Sequence, residues 1–421
     1  MVNSINNKDT TWGRIQHYGD ELWDRVRTRG GSFWNECRDQ TTLPPFSLGE
    51  VAEILGVSGS YLRQLSIDGL GPKPELGTAG RRSYTLRQIN ELRNYLASAR
   101  PKEALKFCPR RRPGEKQQII SVVAGIARTT TTFYLAQTLA LQGFRVLVVD
   151  LDPRGSLSAM FGYISSLPLH NGSMYAPLRF DSDRASIRSV ILPTNFDGLD
   201  LVPGSAELGL FGEECGRRYI NEGYRYPDAS LRMVDAFKEV EADYDVVVIR
   251  CGGSSFLNAG AFEAATGVLM TVQPHLTEIA SMSMHLKCFS HTVSLIEKVG
   301  RSLNYDFIKF LVTRHDPHDV SEQEMVALLR SSLGKDLLTA TVWESAAIRE
   351  ARRKKRSLYE LSSGTVGRSA YEKAMETLNA TNAEVMDIIS EIWGRPPIYV
   401  SRASRSTTAG KTNSQSSRLT K

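Results

Sequence analysis

The chain has 421 residues, of which 41% are hydrophobic and 8% aromatic, and its formal net charge is +6. This length suits two or three domains, and the absence of a long apolar run or a signal-peptide core predicts a cytoplasmic protein without a membrane span. Five scattered cysteines without a CxxC pair and seven histidines without ligand spacing argue against a disulfide framework and a zinc site.

Residues 1–45 are predicted to form one or two amphipathic helices, because apolar residues recur at three- to four-residue spacing. The recurring residues are Trp12, Ile15, Leu22, Trp23 and Val26. Two interpretations remain open at this point. The helix either packs on the body of the protein or pairs with a second copy as a dimerisation helix.

Two short helices joined by a glycine turn are predicted within residues 46–97. Ser47 is a suitable N-cap for the first helix, and Gly69 closes the second helix after the turn at residues 56–58. Such a pair is typical of a helix-turn-helix, whose second helix reads the DNA major groove. The outward-facing residues of that helix would be Ser60, Tyr61, Arg63 and Gln64.

A glycine turn and a short strand follow and carry Arg81 and Arg82, which we interpret as a basic wing beside the helix pair. The unit is therefore classed as an N-terminal all-α winged helix-turn-helix domain that binds DNA. The alternative is a small helical domain whose arginines are only solvated. Residues 98–116 are rich in proline and positive charge and are interpreted as a linker.

From residue 117 onward, apolar strands alternate with helices, which indicates a doubly wound, mostly parallel α/β sheet covered on both faces. The predicted strands are residues 119–123, 146–149, 199–202, 246–249, 268–272 and 307–312. Further helices are predicted at 321–334 and 366–393. This domain is expected to span residues 117–395, and residues 396–421 form a basic tail that we predict to be disordered.

The segment 121–162 has the order of a P-loop fold: a strand, a tight loop, a helix and a second strand that ends in Asp150-Leu151-Asp152-Pro153. In such folds the loop wraps phosphates and the helix N-terminus points at them. A basic cluster, Arg349 to Arg356, lies further along the chain and has six positive residues and one acidic one. Local basic patches of this kind predict a polyanionic partner.

These motifs resemble the ParA-type partition ATPases, and within them the RepA proteins of repABC plasmids. The resemblance covers nearly the whole chain and includes FSLGEVAEILGVSGSYLRQL, GRRSYTLRQINELR, FRVLVVDLDPRGSLSAMFGY, FDGLDLVPG, YDVVVI, FLVTRHDP and RSAYEKAMETLNATNAEV. It implies a ParA/MinD-like fold, ATP and Mg²⁺ as cofactors, and ATP-dependent dimerisation. It also implies nucleoid association, operator repression and a ParB-type centromere-binding partner. In related ATPases, the region of the basic cluster carries sequence-independent DNA affinity, here through Arg349, Arg352, Arg353, Lys354, Lys355 and Arg356.

The phosphate loop departs from the family pattern Lys-Gly-Gly-x-Gly-Lys-Thr-Thr, which falls on residues 123–130. Val123 replaces the lysine that in the family reaches the partner's nucleotide, and Arg128 replaces the phosphate-binding lysine. Of the loop glycines only Gly125 is retained, although these positions need positive φ and room beside the phosphates. An arginine fork cannot simply replace a compact ammonium in a tight loop.

Some of the family's site residues are retained. Thr129 would bind Mg²⁺ and Thr130 the α-phosphate, Asp150 remains, and Asp152 matches the residue that orients the attacking water. The carboxylate that holds magnesium through water is replaced by Arg250, which repels a metal. Arg250 is expected either to neutralise phosphate or to form a salt bridge with Asp152.

The sequence therefore predicts a pseudo-ATPase that binds operator and nucleoid DNA, as a homodimer or as a heterodimer with an intact relative. Two alternatives stay open. One is a working ATPase with an unusual loop that uses Arg128 and Asp152, and the other is a non-functional remnant.

Overall fold

The computed structural model describes most of the chain, namely residues 10–39, 43–77, 80–163, 172–221, 229–252 and 255–401. The chain divides into two compact units, one before Leu43 and one from Leu43 onward. No helix among the described residues combines the length and the apolar character that crossing a membrane requires.

The N-terminal unit consists of one long helix, α1 (Thr11–Asp39). Its apolar residues are spaced along one stripe, and Trp12, Ile15 and Leu22 are each at least 62% exposed. An exposed stripe of this kind on a single helix marks an interaction surface more often than an isolated exposed residue does.

The second unit starts with three short strands and four helices. These are β1 (Phe46–Ser47), α2 (Leu48–Leu55), α3 (Gly59–Ile67), β2 (Glu75–Leu76), β3 (Arg82–Tyr84), α4 (Leu86–Ala99) and α5 (Ala104–Phe107). Among the described residues the strands form an antiparallel sheet in the order β1-β3-β2. The prediction of an all-α unit is therefore wrong, because the wing hairpin pairs with the segment that precedes α2.

Local sequence signals explain the helix pair. Ser47 and Glu50 form a reciprocal capping box at the start of α2, and Ser58 accepts a hydrogen bond from the Tyr61 backbone N–H at the start of α3. Gly56 ends α2 with a φ of +62°, a conformation that costs glycine nothing. The turn between the two helices is thus specified by residues adjacent in the chain.

The remaining strands form one seven-stranded sheet within the described residues, in the order β10-β9-β4-β8-β5-β7-β6. They are β4 (Gln118–Val123), β5 (Val146–Asp150), β6 (Leu192–Pro193), β7 (Leu199–Val202), β8 (Val246–Arg250), β9 (Gly267–Val272) and β10 (Phe307–Val312). Only β6 pairs antiparallel, so the sheet is parallel-dominated, as the run of apolar strands predicts.

Helices cover both faces of this sheet. They are α6 (Arg128–Leu141), α7 (Ser156–Met160), α8 (Tyr175–Leu178), α9 (Leu208–Asn221), α10 (Leu231–Lys238), α11 (Ser255–Ala264), α12 (Leu276–Lys298), α13 (Val320–Leu333), α14 (Ala346–Arg353), α15 (Ser363–Val366) and α16 (Arg368–Ile392). Residues of β4 alternate between the two cores: Ile120 and Val122 belong to one, Ile119 and Val123 to the other.

The segment predicted as a linker, residues 98–116, is packed in part. Phe107 is fully buried, and Arg93 of α4 donates hydrogen bonds to the carbonyls of Phe107 (3.1 Å) and Leu141 (2.8 Å). Asn90 of α4 also donates to the Asp197 carboxylate at 2.8 Å. Helix α4, which follows the hairpin, is therefore fastened to the C-terminal end of α6 by a buried guanidinium that donates to carbonyl partners.

The first residues of the predicted basic tail are also packed. The Asp387 carboxylate accepts hydrogen bonds from the backbone N–H groups of Ile398, Tyr399 and Val400. Residues 402–421, which hold the rest of that prediction, lie outside the described residues.

Candidate functional site

The loop between β4 and α6 has left-handed backbone angles at the three positions where the family pattern has glycine. Ala124, Gly125 and Ala127 have φ angles of +57°, +54° and +68°, all in the left-handed region. An alanine in that region costs about 1–2 kcal/mol relative to the right-handed conformation, whereas glycine adopts it freely. The two alanines that stand in place of glycines therefore put the loop under strain.

Gly125 is the loop glycine that the packing cannot lose. A Cβ built on it would lie 1.9 Å from the carbonyl oxygen of Thr271 in β9. The Thr271 hydroxyl in turn donates a hydrogen bond to the Ala124 carbonyl at 2.9 Å. The close approach of loop and β9 explains why this one glycine remains.

Helix α6 begins directly after the loop, and no side chain caps its N-terminus at Ala127. Its first-turn N–H groups and the helix dipole therefore favour an anion at this end. Arg128 turns back, and its Nη1 donates to the Cys251 carbonyl at 3.0 Å. Burial lowers the pKa of the Arg128 guanidinium, and the neighbouring charge of Arg250 adds to the effect.

Arg250, at the end of β8, occupies the position where the family holds its magnesium-binding carboxylate. It is 4% exposed, its Nε donates to the Thr129 hydroxyl at 3.2 Å, and its Nη2 lies 3.1 Å from the Asp152 carboxylate. The predicted salt bridge between Arg250 and Asp152 is thus present. Thr129 and Asp152 are brought together, but around a guanidinium.

Asp150 is fully buried at the end of β5, and its carboxylate is used within the fold. It accepts hydrogen bonds from the backbone N–H groups of Asp152, Leu157 and Ser158 and from the Ser158 hydroxyl. Burial raises its pKa, although the hydrogen bonds from Ser158 and the charge of Arg250 oppose that shift. Its role here is to fix the turn into α7.

Asp152 is held in its charged form. Burial by itself would raise its pKa, but the hydrogen bond from Ser156, the charge of Arg250 and the contacts of Arg154 together lower it. With its oxygens engaged by Ser156, Arg154 and Arg250, the carboxylate is not free to orient a water. The predicted catalytic role of Asp152 does not fit this arrangement.

The residues present do not fit Mg²⁺. The ion needs several oxygen ligands in octahedral geometry, and here the Thr129 hydroxyl and the Asp152 carboxylate both contact the Arg250 guanidinium. No group of three or more His, Cys, Asp or Glu side chains in the described ranges could hold a metal ion. The assignment of Thr129 as a magnesium ligand, which applies only if nucleotide binds, does not fit this arrangement, because the Arg250 guanidinium already contacts its hydroxyl.

A cleft opens beside Thr130, between the start of α6, the end of β10 and α14. Several residues that line it were not predicted to be functional, and these are Thr313, Arg314, Trp343, Glu344 and Asn382. Arg314 has a φ of +54° and donates to Glu344 at 2.9 Å. No local sequence pattern predicts these residues, because they come together only when β10, α14 and α16 pack around α6.

The predicted DNA-contacting residues lie on α3 and the hairpin. Ser60, Arg63 and Gln64 are exposed on α3, whereas Tyr61 is half-buried with the Arg100 guanidinium 4.5 Å from its ring centroid. Tyr61 thus does not face outward as expected, because Arg100 packs over it. Arg81 is exposed, and half-buried Arg82 donates to the Ser66 hydroxyl at 3.3 Å, which ties the hairpin to α3.

The basic cluster on α14 and the turn after it is partly neutralised by its own acids. Arg353 makes two hydrogen bonds with Glu350, at 2.9 and 2.7 Å, and Lys354 lies 3.7 Å from the same carboxylate. Arg349 pairs with Glu344. Arg352 is exposed and has no ion-pair partner among the described residues, and Lys355 and Arg356 are half-buried just beyond the helix.

Comparison with known proteins adds three findings. Residues 117–307 match a protein-family model described as an AAA domain. A "Putative replication protein A" of Sinorhizobium fredii is 40% identical over 361 residues, which cover 84% of this chain and 88% of that protein. A protein of the same name from Rhizobium rhizogenes is 33% identical, over 83% of this chain and 88% of its own length.

Two more distant matches are similar to this chain, one in sequence and one in fold. Protein SopA of Escherichia coli is 26% identical over 74% of this chain and 80% of its own. A solved structure titled "Partition Protein" superposes with a TM-score of 0.57 over 86% of this chain and 98% of its own, at 18% identity. That likeness shows the fold alone.

Proposed function

Because the chain belongs to the ParA-type partition ATPase family, we propose that it is a plasmid partition protein that binds DNA but has lost ATP hydrolysis. Its DNA targets are an operator, through α3 and the hairpin, and duplex of any sequence, through α14. It acts with a ParB-type centromere-binding partner and associates with the nucleoid. Repression of its own operon follows from operator binding.

The loss of hydrolysis is supported above all by Arg250. Phosphoryl transfer relies on a metal that bridges the phosphates and neutralises their developing charge, and on a residue that orients the water. Arg250 places a buried guanidinium 3.1 Å from Asp152 and hydrogen-bonds the Thr129 hydroxyl. One substitution thereby disables both the metal position and the water-positioning carboxylate.

Operator binding is supported by the intact helix pair. Arg63 and Gln64 are exposed on α3. In the turn before α3, Gly56 ends α2 and Ser58 caps the N-terminus of α3. Arginine and glutamine are suited to base edges in the major groove, whereas contacts to phosphate position a protein without reading sequence. We therefore assign sequence preference to α3 and general affinity to α14.

Dimerisation is part of the proposal, and α1 is its most suitable element. The exposed stripe that contains Trp12, Ile15 and Leu22 would be covered by the same stripe of a second copy or of an intact relative. The dimer would place two α3 helices on a two-fold operator.

The first experiment measures ATP turnover by the full-length protein with Mg²⁺, with and without duplex DNA. We expect turnover at the level of a protein-free blank. The matched variant V123K/A124G/A127G/R128K/R250D restores the family loop and carboxylate, and it should gain measurable turnover. Turnover by the unaltered chain that DNA stimulates would instead establish the working-ATPase alternative.

The second experiment measures DNA binding by fluorescence anisotropy, with a duplex from upstream of the gene and a shuffled duplex of equal length. We expect binding to both, with preference for the upstream duplex. A folded protein without affinity for either duplex would reject the DNA-binding part of the proposal. That result would favour the non-functional remnant.

A further inference from the structure

Two arginine–carboxylate pairs link strands β5 and β8. One lies at the amino ends of the strands, the amino edge of the sheet, and the other at their carboxyl ends, the carboxyl edge. At the amino edge, Arg145 lies 2.6 Å from the buried Asp245. At the carboxyl edge, Arg250 lies 3.1 Å from Asp152, and both side chains are nearly inaccessible to solvent. The pairs are chemically alike, but only the second is beside the loop and the N-terminus of α6.

The carboxylate of the amino-edge pair has all its hydrogen-bond partners within the protein. The Asp245 carboxylate also accepts hydrogen bonds from the backbone N–H groups of Arg111 and Arg145, so its oxygens are consumed by the fold. This pair has a structural explanation that needs no ligand.

The carboxyl-edge pair is built differently. Arg250 uses Nε for Thr129 and Nη2 for Asp152, and a Cβ on Gly252 would come within 2.1 Å of Nη1. The guanidinium thereby contacts the first turn of α6 through Thr129. Arg128 lies close enough for the two positive charges to disfavour each other.

We propose that this loop binds the phosphate groups of a nucleoside di- or triphosphate without a divalent cation, with the Arg250 guanidinium in place of the metal. The inference concerns the nucleotide site of the proposed partition protein and does not depend on its DNA binding. It follows from the disagreement between the family's metal and the residues present. Mg²⁺ would have to displace a buried arginine from Asp152 and Thr129.

The remaining parts of an anion site are present around Arg250. Ala124, Gly125 and Ala127 have left-handed φ angles, as residues of anion-binding turns do. The uncapped start of α6 adds its dipole, and Arg128 adds a second guanidinium. An anion would relieve the repulsion between the two arginines, and a planar fork suits phosphate oxygens.

The test uses the full-length protein and isothermal titration with ADP and with inorganic pyrophosphate. Each probe is titrated once in buffer with Mg²⁺ and once in buffer with EDTA. We expect binding under both conditions, with dissociation constants that differ by less than about twofold. Pyrophosphate binding tests the phosphate contacts alone. ADP binding also tests contacts of the nucleoside with the cleft beside Thr130.

A pair of variants assigns the effect to Arg250. R250M keeps the length of the side chain and removes its charge, and it should weaken ADP binding in EDTA about tenfold or more. R145M removes a comparable arginine from the opposite edge of the same strands and should leave ADP affinity within about twofold. Thermal unfolding of both variants confirms that the loss at Arg250 is not general unfolding.

Three outcomes would overturn the proposal: no binding of either probe, binding only in the presence of Mg²⁺, or equal affinity in R250M and the unaltered chain. Duplex binding is measured on the same preparations. Retained DNA binding with no response to ADP rejects the metal-free site alone, whereas loss of DNA binding with intact ADP binding rejects the proposed function alone.

Discussion

The helix pair α2–α3 with its N-cap (residues 47–67) and the phosphate loop of residues 123–130 are both short segments that depend on a turn, and they differ in how well their residues suit the local backbone. In the helix pair, the residue with left-handed φ is Gly56, and Ser47 and Ser58 cap the helices. In the loop, Ala124 and Ala127 adopt left-handed φ, and α6 begins without a side-chain cap.

The difference shows that the backbone of a segment can be determined either by its own residues or by the structure around it. The helix pair specifies its own turn through caps and a glycine that are adjacent in the chain. The loop is held from outside, by buried β4 and by contact with Thr271, so its shape survives residues that suit it poorly. Strain of this kind persists only where the surroundings determine the backbone.

The largest expected effect tests whether the loop is held from outside. G125A should destabilise the protein by about 3 kcal/mol or more, because its Cβ would collide with the Thr271 carbonyl at a positive φ. Chemical denaturation measures the change. G216A in α9, where a Cβ meets nothing within 4 Å, serves as the control and should stabilise by up to about 1 kcal/mol. A tolerated G125A would mean that the loop moves freely away from β9.

The next effect tests the helix pair as a reader of sequence. R63A should reduce the preference for the upstream duplex by about 1–3 kcal/mol and leave affinity for shuffled duplex nearly unchanged, because base contacts carry specificity. Competition anisotropy measures both quantities. The control is R87A on α4, whose arginine faces Asp197 at 3.4 Å. An equal loss on both duplexes would assign Arg63 to a phosphate.

A smaller effect of opposite sign tests the strain in the loop. A124G and A127G should each stabilise the protein by about 0.5–1 kcal/mol, since glycine adopts positive φ without penalty. A380G within α16 is the control and should destabilise by about 1 kcal/mol. Thermal unfolding measures these changes in stability. If both loop variants were destabilised as A380G is, the loop would not be under strain.

The smallest expected effect concerns salt dependence on α14. R352A should reduce the log–log slope of shuffled-duplex affinity against salt by about 1, because a free arginine neutralises one phosphate. R353A should change the slope by less than half as much, since Glu350 already holds Arg353 at 2.7 Å. Equal slopes for both variants and the unaltered chain would remove α14 from the DNA interface.

The sequence by itself determined the six parallel strands of the large sheet, the helix pair and the substitutions in the family's nucleotide motifs, which are Val123, Ala124, Ala127, Arg128 and Arg250. Apolar runs fix buried strands, and caps and turn glycines act between residues a few positions apart, so a linear pattern contains them. The predicted strand at 307–312 and the turn at 56–58 are of this kind.

Only the tertiary structure decided which partners the charged side chains take. Arg250 and Thr129 are 121 residues apart in the chain, and Arg93 reaches the Leu141 carbonyl across 48 residues. The burial of Phe107 and the packing of Arg100 over Tyr61 have the same origin. Hydrogen bonds and ion pairs depend on distances of a few ångströms, and those distances exist only after buried strands and helices have brought remote residues together.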